Sequence, residues 1–173
     1  MSNYKEALGK IKAFAFDVDG VFSDCKINLN PTGEMVRTMN IKDGYAVQLA
    51  VKKGYLIGII SGSKSKEYQK RLKLLGINDI YLNSRNKLEN FRSFIKKHNL
   101  NKSDVLFMGD DIPDFEVMKE VGIPVCPSDA DSEIRQVTSY ISDKKGGEGC
   151  VRDVIEQVLR LHNNWMDSDA FTW

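Results

Sequence analysis

Six short apolar runs, each followed by a segment of different periodicity, constrain this chain more than any other feature of it. The runs are 12–17 (KAFAFD), 55–60 (YLIGII), 79–82 (DIYL), 105–109 (VLFMG), 123–126 (IPVC) and 139–142 (SYIS). They are too short for helices and rich in β-branched and aromatic residues, which predicts strands. Between them, 43–54 (DGYAVQLAVKKG), 65–76 (SKEYQKRLKLLG), 86–99 (NKLENFRSFIKKHN) and 114–122 (DFEVMKEVG) carry apolar residues at three- and four-residue spacing. That spacing predicts helices, several of which close on Gly or Asn. Strands alternating with helices require right-handed crossovers, and so an α/β fold: a doubly wound, Rossmann-like parallel sheet with helices on both faces.

One segment interrupts the alternation. Residues 25–41 (CKINLNPTGEMVRTMNI) hold two roughly alternating runs around an Asn-Pro-Thr-Gly turn signal, which predicts a β-hairpin inserted after the first strand. Nothing resembling a linker divides the chain, and 173 residues are enough for one domain over 1–173 that buries about 70% of its unfolded surface. A net charge of +1 argues against a polyanion-coating nucleic-acid binder. Three widely spaced cysteines without a CxxC pair argue against a disulfide framework, and so for a reducing cytoplasm. No apolar stretch has the length of a signal peptide core or a membrane span, so no membrane partner is expected. Two Trp and one Phe in 163–173 (NNWMDSDAFTW) predict a tail that docks rather than frays.

In open α/β sheets, ligands bind at the carboxyl ends of the strands, so reactive side chains there mark the candidate site. The first ends in Asp17-Val18-Asp19, the second in Ser61 and Ser63, and the fourth in Asp110, Asp111 and Asp114. Lys87 follows the third and opens a helix. Singly these have ordinary explanations: a turn aspartate, a helix cap, a solvated lysine. Four strand ends converging on one rim with acids, hydroxyls and a lysine do not. Two carboxylates one residue apart at the tip of a buried strand need a compensating charge. They would also repel a phosphate ester, by about 4 kcal/mol per unit-charge pair at ~4 Å and an effective dielectric near 20. A cation resolves both problems, and an oxygen-only shell without His or Cys suits Mg²⁺, with Asp17 and Asp110 as side-chain ligands.

The four stretches DVDG (17–20), ISG (60–62), Lys87 and GDDIPD (109–114) resemble, in order, the four motifs of the haloacid dehalogenase-like phosphohydrolases, and the likeness covers almost the whole chain. It implies that Asp17 is a nucleophile forming an aspartyl-phosphate, and that Asp19 is the general acid and then the general base. The backbone carbonyl of Asp19 would be a further metal ligand. Ser61 and Lys87 would hold the phosphoryl group, Asp114 would position Lys87 or a metal-bound water, and Asp111 would assist from farther out.

Enzymes of this family often carry a cap domain after the first or third strand. Here the first insertion is only the hairpin and the second a single helix, so the core is expected to be capless. At this level the chain is similar to the 3-deoxy-D-manno-octulosonate 8-phosphate (KDO 8-phosphate) phosphatases of lipopolysaccharide precursor synthesis. The stretches 16–24, 39–50, 106–118 and 145–159 carry that likeness. It implies a homotetramer in which the hairpins form a central barrel. The glycine-rich 145–149 (Gly146, Gly147) and Arg152 would close a neighbour's site, so truncation past Gly146 is expected to impair turnover and leave the core folded. Substrate contacts would fall on Asp19, Asn40, Ile41, Lys42, Asp43, Gly44, Gln48, Ser63, Arg71 and Lys87. Gln48 and Ser63 stand where the commoner pattern has arginine; Lys42, Lys64 or Arg71 are the candidate replacements. The alternatives are a 2-keto-3-deoxynononate 9-phosphate phosphatase, which as a pattern lacks KDGYA, or a phospho-accepting or assembly module without catalysis. His98 and His162 are read as surface residues, the cysteines as structural, and Met35, Met39 and Met118 as packing.

Overall fold

A computed structural model describes residues 4–31 and 35–172. All six expected strands are present: β1 (Ala13–Phe16), β4 (Leu56–Ile60), β5 (Asp79–Tyr81), β6 (Val105–Met108), β7 (Ile123–Cys126) and β8 (Tyr140–Ile141). They form one sheet in the order β5-β4-β1-β6-β7-β8, parallel throughout. β1 is its centre, and its four residues are fully buried because both faces are covered. Phe14 and Phe16 point into a core shared with α2 (Ile41–Lys52), α3 (Lys66–Leu74) and α7 (Cys150–Leu161). Ala13 and Ala15 point the other way, toward α4 (Lys87–Lys97), α5 (Phe115–Glu120) and α6 (Ser132–Val137). Large residues on one face and alanines on the other let Phe91 and Phe94 of α4 approach closely. Gly58 of β4 serves the same end, since a Cβ there would lie 3.2 Å from the Phe94 ring.

The helices begin where capping side chains stand. Asn40 accepts from the Lys42 amide (2.8 Å), Ser65 from Tyr68 (3.3 Å) and Asn86 from Glu89 (3.2 Å). A single helix, α4, lies between β5 and the short 3₁₀ turn before β6, so neither usual insertion point carries a cap domain.

The hairpin is present but shorter than 25–41. Its paired strands are β2 (Asn28–Leu29) and β3 (Met35–Val36), antiparallel and separate from the main sheet. Two residues of its turn signal, Thr32 and Gly33, lie outside the described residues. Ile27, Leu29, Met35 and Val36 are exposed, so Met35 is not the packing residue expected of it; Met118 is buried and Met39 half-buried.

The C-terminal segment departs most from expectation. Val151, Val154, Ile155, Val158 and Leu159 of α7 are all buried in the main core, against α2. Burying such a side chain is worth about 1.5–3 kcal/mol, so truncation past Gly146 would strip the core instead of leaving it folded. The aromatic tail docks as expected, onto its own chain. Trp165 is buried, edge-on to Tyr45 and under the Arg152 guanidinium (5.1 Å), and Lys53 pairs with Asp167 and Asp169. The histidines are not free surface residues. His98 bonds Asp79 (2.8 Å), and His162 stacks on Tyr55 and bonds it, both half-buried and outside the strand-end rim.

Candidate active site

β1 delivers Asp17 with its amide still in the ladder, bonded to the Met108 carbonyl (3.0 Å). The chain then turns tightly. The Val18 carbonyl accepts from the amides of Val21, Phe22 and Ser23, and Gly20 sits at φ +87°. Glycine is required there twice over: the backbone is left-handed, and a Cβ would lie 1.9 Å from Asp110 Oδ2. β6 delivers Asp110 beside it, followed by a 3₁₀ turn (Ile112–Asp114) capped by Asp111, which accepts from Ile112 (2.7 Å) and is itself exposed. β4 delivers Ser61, whose amide is bonded to Tyr81 (2.9 Å) and whose hydroxyl accepts from Ser63 (3.2 Å). Lys87, the first residue of α4, reaches in from the third strand end.

The Lys87 ammonium lies 2.9 Å from Asp17 Oδ2 and 2.7 Å from Asp114 Oδ1. Asp114 Oδ2 accepts from the Asp110 amide (3.2 Å), so one fully buried carboxylate ties the third strand end to the fourth. Asp17, Asp110 and Asp114 present oxygens within 4.8 Å of one another, and all three are buried. One lysine therefore faces three carboxylates. Burial, reinforced by the Asp114 charge, pushes Asp17 up to about 8 and Asp110 up to about 7; burial also raises Asp114. Burial alone would lower Lys87, but the charges of Asp17 and Asp114 raise it, so it stays an ammonium. Asp17 Oδ1 is buried without a partner. An orphaned acceptor in a cluster with excess negative charge is what a divalent cation satisfies, and a donor set of carboxylate oxygens fits a hard ion. The described residues that present oxygens to such an ion are Asp17, Asp110 and Asp114.

Asp19 stands apart from this cluster, its side chain 39% exposed. Arg37, just past β3, grips it with Nε 2.7 Å from Oδ1 and Nη2 3.2 Å from Oδ2. The Tyr68 hydroxyl donates to Asp19 Oδ1 (3.4 Å), and the Tyr68 ring lies under Arg37. Sequence reasoning missed both partners. Arg37 is the only arginine in 25–41, the one signal that could have marked it. Next to Asp19 opens a cavity of about 930 Å³ between hairpin and α3, lined among others by Arg37, Met39, Ser63, Lys64, Tyr68 and Arg71.

A model of the haloacid dehalogenase-like hydrolases matches residues 65–155. The 3-deoxy-D-manno-octulosonate 8-phosphate phosphatase KdsC of Escherichia coli is 34% identical over 149 residues, 86% of this chain and 79% of that protein. The chain belongs to the haloacid dehalogenase-like hydrolases. Among solved structures, the 3-deoxy-D-manno-octulosonate 8-phosphate phosphatase of Moraxella catarrhalis, in complex with magnesium, phosphate and KDO, superimposes with a TM-score of 0.91. It is 34% identical, with coverage of 99% of this chain and 97% of that one. The Yersinia pestis phosphatase of the same name gives a TM-score of 0.91 at 29% identity, covering 94% and 88%.

Within this hydrolase frame, Asp17, Ser61, Lys87, Asp110 and Asp114 converge, with Asp19 at the cavity mouth. Other expected contacts do not. The Asp43 carboxylate is fully buried and turned to α7, where Oδ1 accepts from the Arg152 amide (2.7 Å). It caps a helix whose own N-cap, Gly149, has no side chain to do so. Gln48 is half-buried on α2 and does not line the cavity, and Ile41 and Lys42 are exposed. Gly44 lets Arg71 lie across α2, since a Cβ would meet its Nη2 at 2.9 Å. Arg152 stacks on Trp165 and bonds Glu156 (3.1 Å).

Gly146 and Gly147 pack within their own chain. A Cβ on Gly146 would lie 2.1 Å from the Gly20 carbonyl oxygen, and the Gly147 amide bonds Val21 (2.9 Å). This segment buttresses the tight turn that follows β1. Of the cysteines, Cys126 and Cys150 are buried, but Cys25 is exposed at the site's edge and donates to Asp110 Oδ2 (3.6 Å). Burial and the Asp110 charge push its thiol up to about 11.

Proposed function

We propose that this chain is a magnesium-dependent phosphatase that hydrolyses KDO 8-phosphate to KDO and phosphate, in lipopolysaccharide precursor synthesis. The observation that carries the reading is Asp17. It is buried at the tip of the central strand, with one oxygen held by Lys87 and the other free. The relatives above, one of them bound to magnesium, phosphate and KDO, supply the substrate class. Asp17 and Asp110, with the Asp19 carbonyl, would hold magnesium, which when bound would supply the positive charge that lets a phosphate dianion approach these carboxylates.

In this reading a carboxylate oxygen of Asp17 attacks phosphorus. The ester P–O bond breaks, and its electron pair leaves with the sugar alkoxide, which takes a proton from Asp19. The Lys87 ammonium and the Ser61 hydroxyl stabilise the charge on the phosphoryl oxygens. Asp19 then removes a proton from water, which attacks phosphorus and releases Asp17 and phosphate. Asp114 keeps Lys87 aimed at Asp17. The sugar occupies the cavity beside Asp19, where Lys64 and Arg71 supply positive charge and Ser63 a hydroxyl.

The enzyme is proposed to work as a single-domain subunit of a homotetramer in the cytoplasm. The exposed Ile27, Leu29, Met35 and Val36 of the hairpin favour assembly, and three free thiols suit a reducing compartment. No helix among the described residues is long and apolar enough to cross a membrane.

Phosphate release from KDO 8-phosphate with Mg²⁺ tests the reading. Asp17→Asn is expected to lower kcat by roughly 10³-fold or more. Undiminished turnover in that variant would falsify the mechanism.

A further inference from the structure

We propose that Arg37 reads the acid group of the sugar, with one edge of its guanidinium on Asp19 and the other on the substrate carboxylate. This rests on the site being that of a sugar-acid phosphatase, and adds a residue that neither the strand-end motifs nor the comparisons identify.

A guanidinium has two edges, each able to hold a carboxylate through a pair of parallel hydrogen bonds. Arg37 spends its Nε–Nη2 edge on Asp19. Among the described residues, Nη1 finds no partner. The side chain is nonetheless held in place. It is only 12% exposed, is backed by the Tyr68 ring 5.6 Å from Cζ, and borders the cavity beside Asp19. The ester oxygen must leave next to Asp19, so the rest of the sugar extends into this cavity. An acid group about one sugar ring from that oxygen falls on the open Arg37 edge. The two anions lining the cavity are already engaged, Asp19 by Arg37 and Glu67 by the Ser65 hydroxyl (2.9 Å). Arg37, Lys64 and Arg71 outnumber these two anions, which leaves one positive charge in excess there. Lys64 is an exposed point charge, and Arg71 lies against the first turn of α2. Arg37 alone joins the acid-binding wall to the residue that handles the leaving group, so recognition of the sugar and placement of Asp19 share one side chain.

The test measures kcat and KM for KDO 8-phosphate and for ribose 5-phosphate, a phosphate ester without a carboxylate. Any change in Asp19 placement acts on both esters and cancels in the ratio of their kcat/KM values. The wild type is expected to favour the acid. R37Q should lower that preference about tenfold or more, mostly through KM, because it removes the charge-assisted pair of hydrogen bonds to the carboxylate. R37K keeps the charge but loses the fork, and should recover part of the preference; it also carries the test if R37Q does not fold. A preference that survives R37Q within threefold, or falls only in R71Q or K64Q, overturns the role of Arg37 and leaves the phosphatase reading intact. A wild type with no preference for the acid overturns both.

Discussion

Replacing Asp43 with asparagine tests the physical account of how α7 is joined to the substrate side of the fold. The Asp43 carboxylate is fully buried; one oxygen accepts from the Arg152 amide and the other has no partner. Burial pushes its pKa up to about 6 from the ordinary 3.8, against the pull of the Arg152 and Gly149 amides. The folded chain therefore holds a proton on Asp43 at pH values where the unfolded chain has lost it. Stability from this group is present at low pH and declines as pH rises from the unfolded toward the folded value. A shift of about two units corresponds to roughly 3 kcal/mol in all, about half of it between pH 5 and pH 8. Asparagine matches the protonated acid in shape, can still cap α7 through its carbonyl, and does not titrate. Denaturant unfolding of both proteins at several pH values isolates the effect, because every other titrating group cancels in the difference. D43N should gain on the wild type by roughly 1–2 kcal/mol between pH 5 and pH 8. A difference that stays flat across that range, or that favours the wild type as pH rises, would refute the placement of an unpaired carboxylate under α7.

Two further variants probe the site's support and the assembly. G146A places a Cβ 2.1 Å from the Gly20 carbonyl oxygen, so it should cost about 1–3 kcal/mol in a thermal melt and lower kcat with it. Wild-type values for both would rule out the contact. Leu29→Glu puts a charge on a residue that is 72% exposed in the single chain, so folding monitored by circular dichroism should be unchanged. The mass from light scattering should fall below that of a tetramer, and an unchanged mass would remove the hairpin from the interface.

The cluster at the strand-end rim was legible because its residues sit at fixed places in a repeating pattern. Once 12–17, 55–60 and 105–109 are strands of one parallel sheet, Asp17, Ser61 and Asp110 must share a rim, since parallel strands end on the same side. Lys87 joins them because it opens the helix that follows β5. Those placements need only periodicity and the handedness of crossovers, both local or generic properties of the chain. The alternation inside β1 likewise determined which side takes Phe14 and Phe16 and which takes Ala13 and Ala15.

What local pattern could not decide is where irregular segments turn their side chains. Arg37 lies eighteen residues from Asp19, and their pairing depends on how the hairpin folds back over α3. Asp43 occupies a helix's first turn, where an acid ordinarily faces solvent, yet α7 lies over it and takes its carboxylate as a cap. The glycines at 146 and 147 read as a segment that closes a neighbour's site, and within their own chain each fills a space too small for any Cβ against Gly20 and Ser23. The sequence by itself determined the sheet, its order of chemistry and the residues at its rim, because these follow from periodicities of two and 3.6. Only the tertiary structure decided the partner of Asp19, the burial of Asp43 and the inward packing of the C-terminal segment. Those depend on contacts between segments distant in the chain, which no local spacing encodes.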